Sequence, residues 1–308
     1  MTAPTDQRAA RAVATGSRAA TGTTGVTGMT VTTGATEAAD VAEKTKDKKH
    51  AGRIVIVGSH GRMGAMLMAR AGAAGLDAVG VDVPLAPEKL ADACAGADMA
   101  VLCVPAAVFG TVAADICPHL PAGAVLADIT SVKEQPMHQM ERVWPGPVVG
   151  THPLFGPSPE AEADLPVAIT PGRAAQAQHV ALVEAFFTAL GCRTFLTTAE
   201  THDKAMARIQ NMNFITSLAY FSLLAGQDDL LPFLTPSFRR RRNAARKMLT
   251  EDARLFAGLF EANAHSHEAV RQYRQMLNLA AAGDIDLLCQ RAAWWWPEEC
   301  GQDGQPKV

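Results

Sequence analysis

The segment RIVIVGSHGRMG (Arg53–Gly64) decides how the rest of the chain is read. Its first half is a short apolar run rich in β-branched residues, the pattern of a buried strand. Its second half carries glycines at positions 58, 61 and 64 and runs into RMGAMLMARAGAAG, where the apolar spacing turns helical. A strand, a glycine turn and a helix in that order let the backbone reverse tightly. They also bring a phosphate up to the free N–H groups of the helix N-terminus. The spacing is G-x-x-G-x-x-G, with His60 where the commoner fingerprint has its second glycine.

Working outward, the same alternation repeats. DAVGVD (77–82), DMAVLCVP (98–105), GAVLADIT (123–130), GPVVGTHP (146–153), LPVAIT (165–170) and CRTFLTT (192–198) read as strands, most of them separated by helical patterns. This predicts an α/β fold with a doubly wound, Rossmann-type parallel sheet and helices on both faces. Asp82 closes the second strand, where a carboxylate accepts hydrogen bonds from the ribose of NAD and repels the extra phosphate of NADP. Gly58, His60, Gly61, Arg62, Met63, Gly64 and Asp82, with Val104 and Pro105 at the end of the third strand, are the candidate cofactor residues. The competing reading is an ordinary tight turn with Asp82 as a solvated strand end.

From about Ala199 to Trp296 the patterns are almost wholly helical. AETHDKAMARIQNMNFITSLAYFSLLAG reads as one long helix, apolar on more than one side. That points to an all-α C-terminal domain that buries a face in a homodimer. PSFRRRRNAARKML, EDARLFAGLFEANAHSHEAVRQYRQMLNLAAAG and DIDLLCQRAAWWWP read as three further helical stretches, with the tryptophans of AAWWWP as packing residues. Residues 1–50 are Thr, Gly and Ala with few large apolar side chains and a closing charged run, and read as a disordered tail. The expected organisation is a tail (1–50), a nucleotide-binding domain (51–198), a helical domain (199–297) and a C-terminal tail (298–308).

The chain has 308 residues, 48% of them hydrophobic, and a net charge of −3, which argues against a nucleic-acid protein. No apolar run reaches the ~18 residues of a membrane helix. The six cysteines are scattered, none in a C-x-x-C pair, and read as reduced thiols of a cytoplasmic protein. No metal-ligand pattern was found.

Two loops carry candidate chemistry. In DITSVKEQP (128–136), Ser131 lies where strand ends line a ligand crevice and serves either a substrate hydroxyl or as the cap of the next helix. Lys133 reads as a surface charge. In VVGTHPLFGP (148–157), His152 sits at a strand's carboxyl end, in a segment whose prolines and glycines permit only a shaped loop beyond it. An imidazole there, mostly neutral above its ordinary pKa of about 6.5, suits a dehydrogenase base.

The glycine turn, DITSVK, GTHPLFGP and THDKAMARIQ occur in an order that resembles the prephenate dehydrogenases, most of all the bacterial branch often fused to chorismate mutase. The likeness covers about 53–297. The first 50 residues do not read as that mutase. The resemblance implies NAD-dependent oxidation of the ring alcohol of prephenate with loss of carbon dioxide, giving 4-hydroxyphenylpyruvate. It implies His152 as the base, Ser131 as the residue that orients the hydroxyl, and His202 as a second histidine in a positioning role or as a cap of its own helix. By its offset from TEDARLF, it points to Arg239 as the grip on the ring carboxylate, with Arg242 and Arg246 on the same helix face. The remaining arginines are expected to be solvated or paired with Glu251 and Asp252. Gln210 falls among the substrate residues. The stretch IQNMNFI departs from the family by lacking a histidine, with Asn211 and Asn213 as replacements. Arogenate as substrate, a related hydroxyacid or imine reductase, and a non-catalytic NAD-binding protein are the alternatives.

Overall fold

The computed structural model describes residues 52–160 and 163–296, so the two predicted tails lie outside the described residues. All seven predicted strands form: β1 (Arg53–Val57), β2 (Ala78–Val81), β3 (Ala97–Leu102), β4 (Val125–Asp128), β5 (Val148–Pro153), β6 (Pro166–Pro171) and β7 (Arg193–Leu196). They make one sheet in the order β2-β1-β3-β4-β5-β6-β7. The first five are parallel, and so are β6 and β7, but β6 runs antiparallel to β5. The reversal departs from a purely parallel sheet. The described residues of the 154–165 connection form no helix that could carry a parallel crossover, and β6 returns directly beside β5.

Strand alternation sorts the core into two layers. Val55, Val57, Ala100, Leu102 and Leu126 pack on one face with Leu90, Phe109, Ile116 and Met140. Those side chains come from α2 (Pro87–Cys94), α3 (Ala106–Ile116) and α4 (Glu134–Val143). Ile54, Ile56, Val101, Ala127, Val149 and Ile169 pack on the other face with Leu67, Val183, Phe186 and Phe187. Those come from α1 (Arg62–Ala73) and α5 (Ala177–Ala189). The sheet is therefore covered on both sides, as its near-continuous apolar strands require.

Beyond β7 the chain is helical. α6 (Ala199–Met206) passes through a π-helical turn (Ala207–Asn211) into α7 (Met212–Leu223), so the predicted long helix carries a local widening. Such π-turns are most often kept at functional sites. α8 (Pro236–Thr250) follows, then α9 (Ala253–Ala262), α10 (Ser266–Ala281) and α11 (Ile285–Ala292). The stretch expected as one helix breaks between α9 and α10. Buried Asn263 takes an extended backbone there, accepts the His265 N–H at 2.9 Å and donates to the Asp203 carbonyl at 2.8 Å. Trp294, Trp295 and Trp296 are 63–73% exposed, so within this chain they do not pack the helix end as expected.

Phe186 is fully buried against Phe187, in an edge-on ring pair 5.1 Å apart. Phe186→Ala is expected to lower unfolding stability by about 3–5 kcal/mol, read from a denaturant midpoint.

Candidate active site

The glycine turn is tight for a steric reason. Gly58 has φ +84°, and a Cβ placed on it would lie 2.6 Å from the Cys103 carbonyl oxygen and 3.0 Å from Val104. A Cβ on Gly64 would lie 2.1 Å from the Gly58 carbonyl oxygen. Only glycine lets β1 and α1 approach this closely. Gly61 occupies the N-cap of α1 and supplies no side-chain cap, so the helix presents uncapped N–H groups at its entrance. Val104 touches the turn, and Pro105 opens α3 next to it. Met63 is half-buried in the first turn of α1.

Asp82 stands just past the end of β2. Its Oδ2 accepts the His60 N–H at 2.7 Å and its Oδ1 the Val83 N–H at 2.8 Å. The His60 amide is the main cause holding its pKa below the ordinary aspartate value, so it is anionic at neutral pH. A cleft of about 440 Å³ opens here, bordered by Ser59, His60, Gly80, Asp82, Val83 and Lys89. An uncapped helix entrance, a side-chain-free turn and a fixed carboxylate beside a cleft fit a dinucleotide without a 2′-phosphate.

Three strands along the sheet, about 14 Å at ordinary strand spacing, the carboxyl ends of β4 and β5 hold a buried polar cluster. Lys133, expected on the surface, is 0% exposed, as is Asp128. The reason is the ion pair between its Nζ and Asp128 Oδ2, with Thr130 Oγ1 as a second acceptor at 3.1 Å. Asp128 also accepts the Thr151 N–H at 3.3 Å, and Thr151 Oγ1 donates to the Asp128 carbonyl. Gly150 makes room: a Cβ there would meet Met137 Sδ at 2.6 Å and the Lys133 chain at 3.1 Å. Asp128, held by Lys133, thus ties β4 to β5 immediately before His152.

His152 is 3% exposed, and its Nδ1 lies 2.9 Å from Nε2 of His202, itself 3% exposed. His202 Nδ1 lies 2.7 Å from Asp203 Oδ1. His202 does not cap its helix, because Thr198 does so by accepting the Thr201 N–H. Burial first, then His202 and Lys133, hold the His152 pKa well below 6.5. Ser131 is half-buried in the same loop, but the cap of α4 comes from elsewhere. Asp203 Oδ1 and Oδ2 accept the N–H groups of Lys133 and Glu134 at 2.8 and 2.9 Å. Asp203 escaped the sequence reading, and Lys133 was read there as a surface charge. The adjacency of Asp203 to His202 and of Lys133 to DITSV was the available signal.

On the helical side, Arg239 is exposed, and its Nε donates to the Leu234 carbonyl at 3.2 Å. It does not border the cleft between α7 and α8, of about 490 Å³, where Asn213, Ser217, Arg241, Lys247 and Asp252 stand. Arg242 and Arg246 border a separate, more apolar groove with Phe221 and Leu249. Arg241 lies 4.0 Å over the Tyr220 ring. Asp252, expected to pair within the arginine run, instead pairs with Arg62 of the glycine turn at 3.0 Å. That bridge sets the cleft against the nucleotide-binding half. In the π-turn the side-chain oxygens of Gln210 and Asn211 are buried without a partner among the described residues, while Asn211 Nδ2 donates to Ser266 at 2.8 Å.

The chain is similar to known proteins in sequence and in fold. Residues 74–196 match the family described as prephenate dehydrogenase, nucleotide-binding domain. The chain is 30% identical over 236 residues to the T-protein of Enterobacter agglomerans, covering 74% of this chain and 61% of that protein. It is 28% identical over 175 residues to the cyclohexadienyl dehydrogenase of Zymomonas mobilis, covering 53% of this chain and 60% of that protein. The chain thus spans about three-fifths of the length of the curated relatives it matches. Its fold is shared with prephenate dehydrogenase from Aquifex aeolicus, solved with hydroxyphenyl propionate and NAD+ (TM-score 0.66, 19% identity, 78% of this chain and 94% of that one). It is also shared with Synechocystis arogenate dehydrogenase (TM-score 0.62, 23% identity, 80% and 94%).

The depressed His152 pKa carries a stability prediction. Its unfolded imidazole takes a proton near pH 6.5 and the buried one does not, so this contribution is full above that pH and is lost as pH falls below it. Between about pH 7 and about pH 5 the denaturant midpoint of the native chain should fall more than that of His152→Asn.

Proposed function

We propose that this chain, whose residues 74–196 match the prephenate dehydrogenase nucleotide-binding domain, is an NAD-dependent dehydrogenase that oxidises prephenate with loss of carbon dioxide, giving 4-hydroxyphenylpyruvate on the route to tyrosine. The observation that carries this reading is the placement of buried His152 at the carboxyl edge of the same sheet whose glycine turn offers the dinucleotide site. NAD, when bound, supplies the hydride acceptor. Gly58, His60, Gly61, Arg62, Met63, Gly64, Asp82, Val104 and Pro105 are the residues proposed to hold it.

His152 accepts the proton of the ring hydroxyl, and Ser131 orients that hydroxyl. Its depressed pKa keeps the imidazole neutral and ready at pH 7. Loss of the ring carboxylate gives an aromatic ring, so the protein's task is to orient the substrate and exclude water. Prephenate is a dianion and needs cationic anchors. Lys247 and Arg241 are the cations of the cleft beside the glycine turn, so the anchor passes to them from Arg239. Arg241 is engaged with Tyr220, which leaves Lys247 as the first choice. The buried, unpaired oxygen of Gln210 suits a polar group of the substrate side chain. Arogenate remains the second reading, since an arogenate dehydrogenase shares this fold.

The working form is a homodimer. Only Ala245 of the fifteen-residue α8 is buried, and Leu218, Leu223, Leu231, Phe233 and Leu277 of the helical half are 38–78% exposed. A helix with so little packing of its own is held by a second surface. The five described cysteines form no disulfide, and no described helix is long and apolar enough to cross a membrane.

Prephenate and arogenate, supplied side by side with NAD, provide the test. NADH should form fastest with prephenate, and NAD binding without NADH from either substrate would overturn the reading. His152→Asn should lower kcat by about 100- to 10,000-fold with little change in prephenate KM. Lys247→Ala should mainly raise KM, by about 10-fold or more, and an unchanged KM would return the anchor to the arginine run.

A further inference from the structure

Asp203 follows His202 directly in sequence, yet its carboxylate serves the other half of the molecule. It is 2% exposed and closes the N-terminus of α4 by accepting the Lys133 and Glu134 amides. Both of its oxygens therefore face donors. A protonated carboxyl would set an O–H against those amides, so the group is ionised and purely an acceptor. His202 Nδ1, 2.7 Å from Oδ1, must then carry the hydrogen. A neutral His202 so oriented has a bare Nε2, which can only accept. The partner 2.9 Å away, His152 Nδ1, must therefore donate. With its hydrogen fixed on Nδ1, His152 keeps a bare Nε2 for the substrate.

We propose that Asp203 and His202 are positioning residues that lock His152 in the tautomer with a free Nε2, and that the second imidazole shares the proton His152 takes. The inference rests on the prephenate reading above. The O–H bond of the ring hydroxyl breaks and an N–H bond forms at Nε2 of His152. The hydrogen on its Nδ1 shifts to Nε2 of His202, so the positive charge comes to rest beside the Asp203 carboxylate. The hydride passes to the nicotinamide acceptor already named, and the electron pair of the breaking C–CO₂ bond enters the ring. The proton shifts then reverse and the phenol oxygen regains its hydrogen, so the site returns to its starting state with no net proton released or taken up.

The arrangement has a physical reason. His152 is buried beside the Lys133 ammonium, where a lone imidazolium is disfavoured. Moving the charge one ring outward takes it towards an anion that the α4 N-terminus already stabilises. The charged groups beside the two rings are Lys133, itself paired with Asp128, from the start of α4 and Asp203 from α6. The Glu134–His265 pair, 3.0 Å apart, lies beyond Asp203.

Nitrogen-15 NMR of histidine-labelled protein without substrate reads the tautomer directly, with the His152 signals identified by their loss in His152→Asn. The lock predicts hydrogen on Nδ1 and a bare Nε2. In His202→Leu, which cannot accept, the hydrogen should leave Nδ1 for Nε2 in much of the population. With prephenate and NAD, kcat should fall about 100- to 10,000-fold while KM stays within about 3-fold. Hydrogen on Nε2 in the native chain, or an unchanged tautomer and kcat in His202→Leu, overturns the lock. Asp203→Asn keeps an oxygen for Lys133 N–H and His202 but removes the charge. Its acid limb in the kcat profile should move to lower pH, and an unmoved limb overturns the charge sharing. If the native chain makes no NADH from prephenate, the reaction reading fails while the spectrum still decides the tautomer.

Discussion

One buried carboxylate joins the two halves of this protein. Asp203 belongs to the helical half, yet it closes the first turn of a helix that packs against the sheet. It also receives a hydrogen bond from His202, which touches His152 on β5. Leaving any of these polar groups unpaired inside the fold would cost about 1–3 kcal/mol each, more for a charged one. The helical half is therefore held in the register that sets two imidazoles edge to edge. Asn263 extends the constraint, since its amide binds the Asp203 carbonyl and the same residue breaks the chain between α9 and α10.

A second buried pair does related work from the sheet side. Taking Asp128 and Lys133 out of water is costly, and breaking such a pair by removing one partner commonly costs about 3–5 kcal/mol. Here Lys133 at the start of α4 holds Asp128 at the end of β4, and Asp128 in turn accepts the Thr151 amide of β5, one residue before His152. The two clusters meet at the start of α4, where Lys133 uses its side chain for Asp128 and its backbone for Asp203. This strand edge is thus held by buried polar contacts, the fixed geometry that the proposed proton transfer needs. The cleft bordered by Lys247 lies among more exposed helices.

The fold was legible because its signals are local. A β-branched run followed by spaced glycines, and the repetition of that rhythm, gave seven strands and their helices in order. The antiparallel turn of β6 was less visible, since periodicity reports a strand but not its direction. His152 was legible because prolines and glycines force the loop that follows it. Lys133 was misread because lysine is so seldom fully buried, and its partner five residues earlier belongs to a different element. Asp203 was passed over for a similar reason: the two amides that donate to its carboxylate lie about seventy residues away in sequence. The arginine run shows the limit of helical spacing. It puts Arg239, Arg242 and Arg246 on one face but does not say which cleft that face meets, and the structure brings Arg241 and Lys247 to the nucleotide side instead.

The central claim is that an imidazole presented through Nε2, a dinucleotide on the glycine turn and a cation from the helical half meet in one cleft. A crystal structure of the chain with NAD and the product 4-hydroxyphenylpyruvate examines that meeting directly. The account predicts the phenol oxygen within hydrogen-bond distance of His152 Nε2, the nicotinamide against the phenol ring and a carboxylate within reach of Lys247 or Arg241. A phenol oxygen held away from His152, or a nicotinamide lying elsewhere than over the ends of β4 and β5, would contradict it.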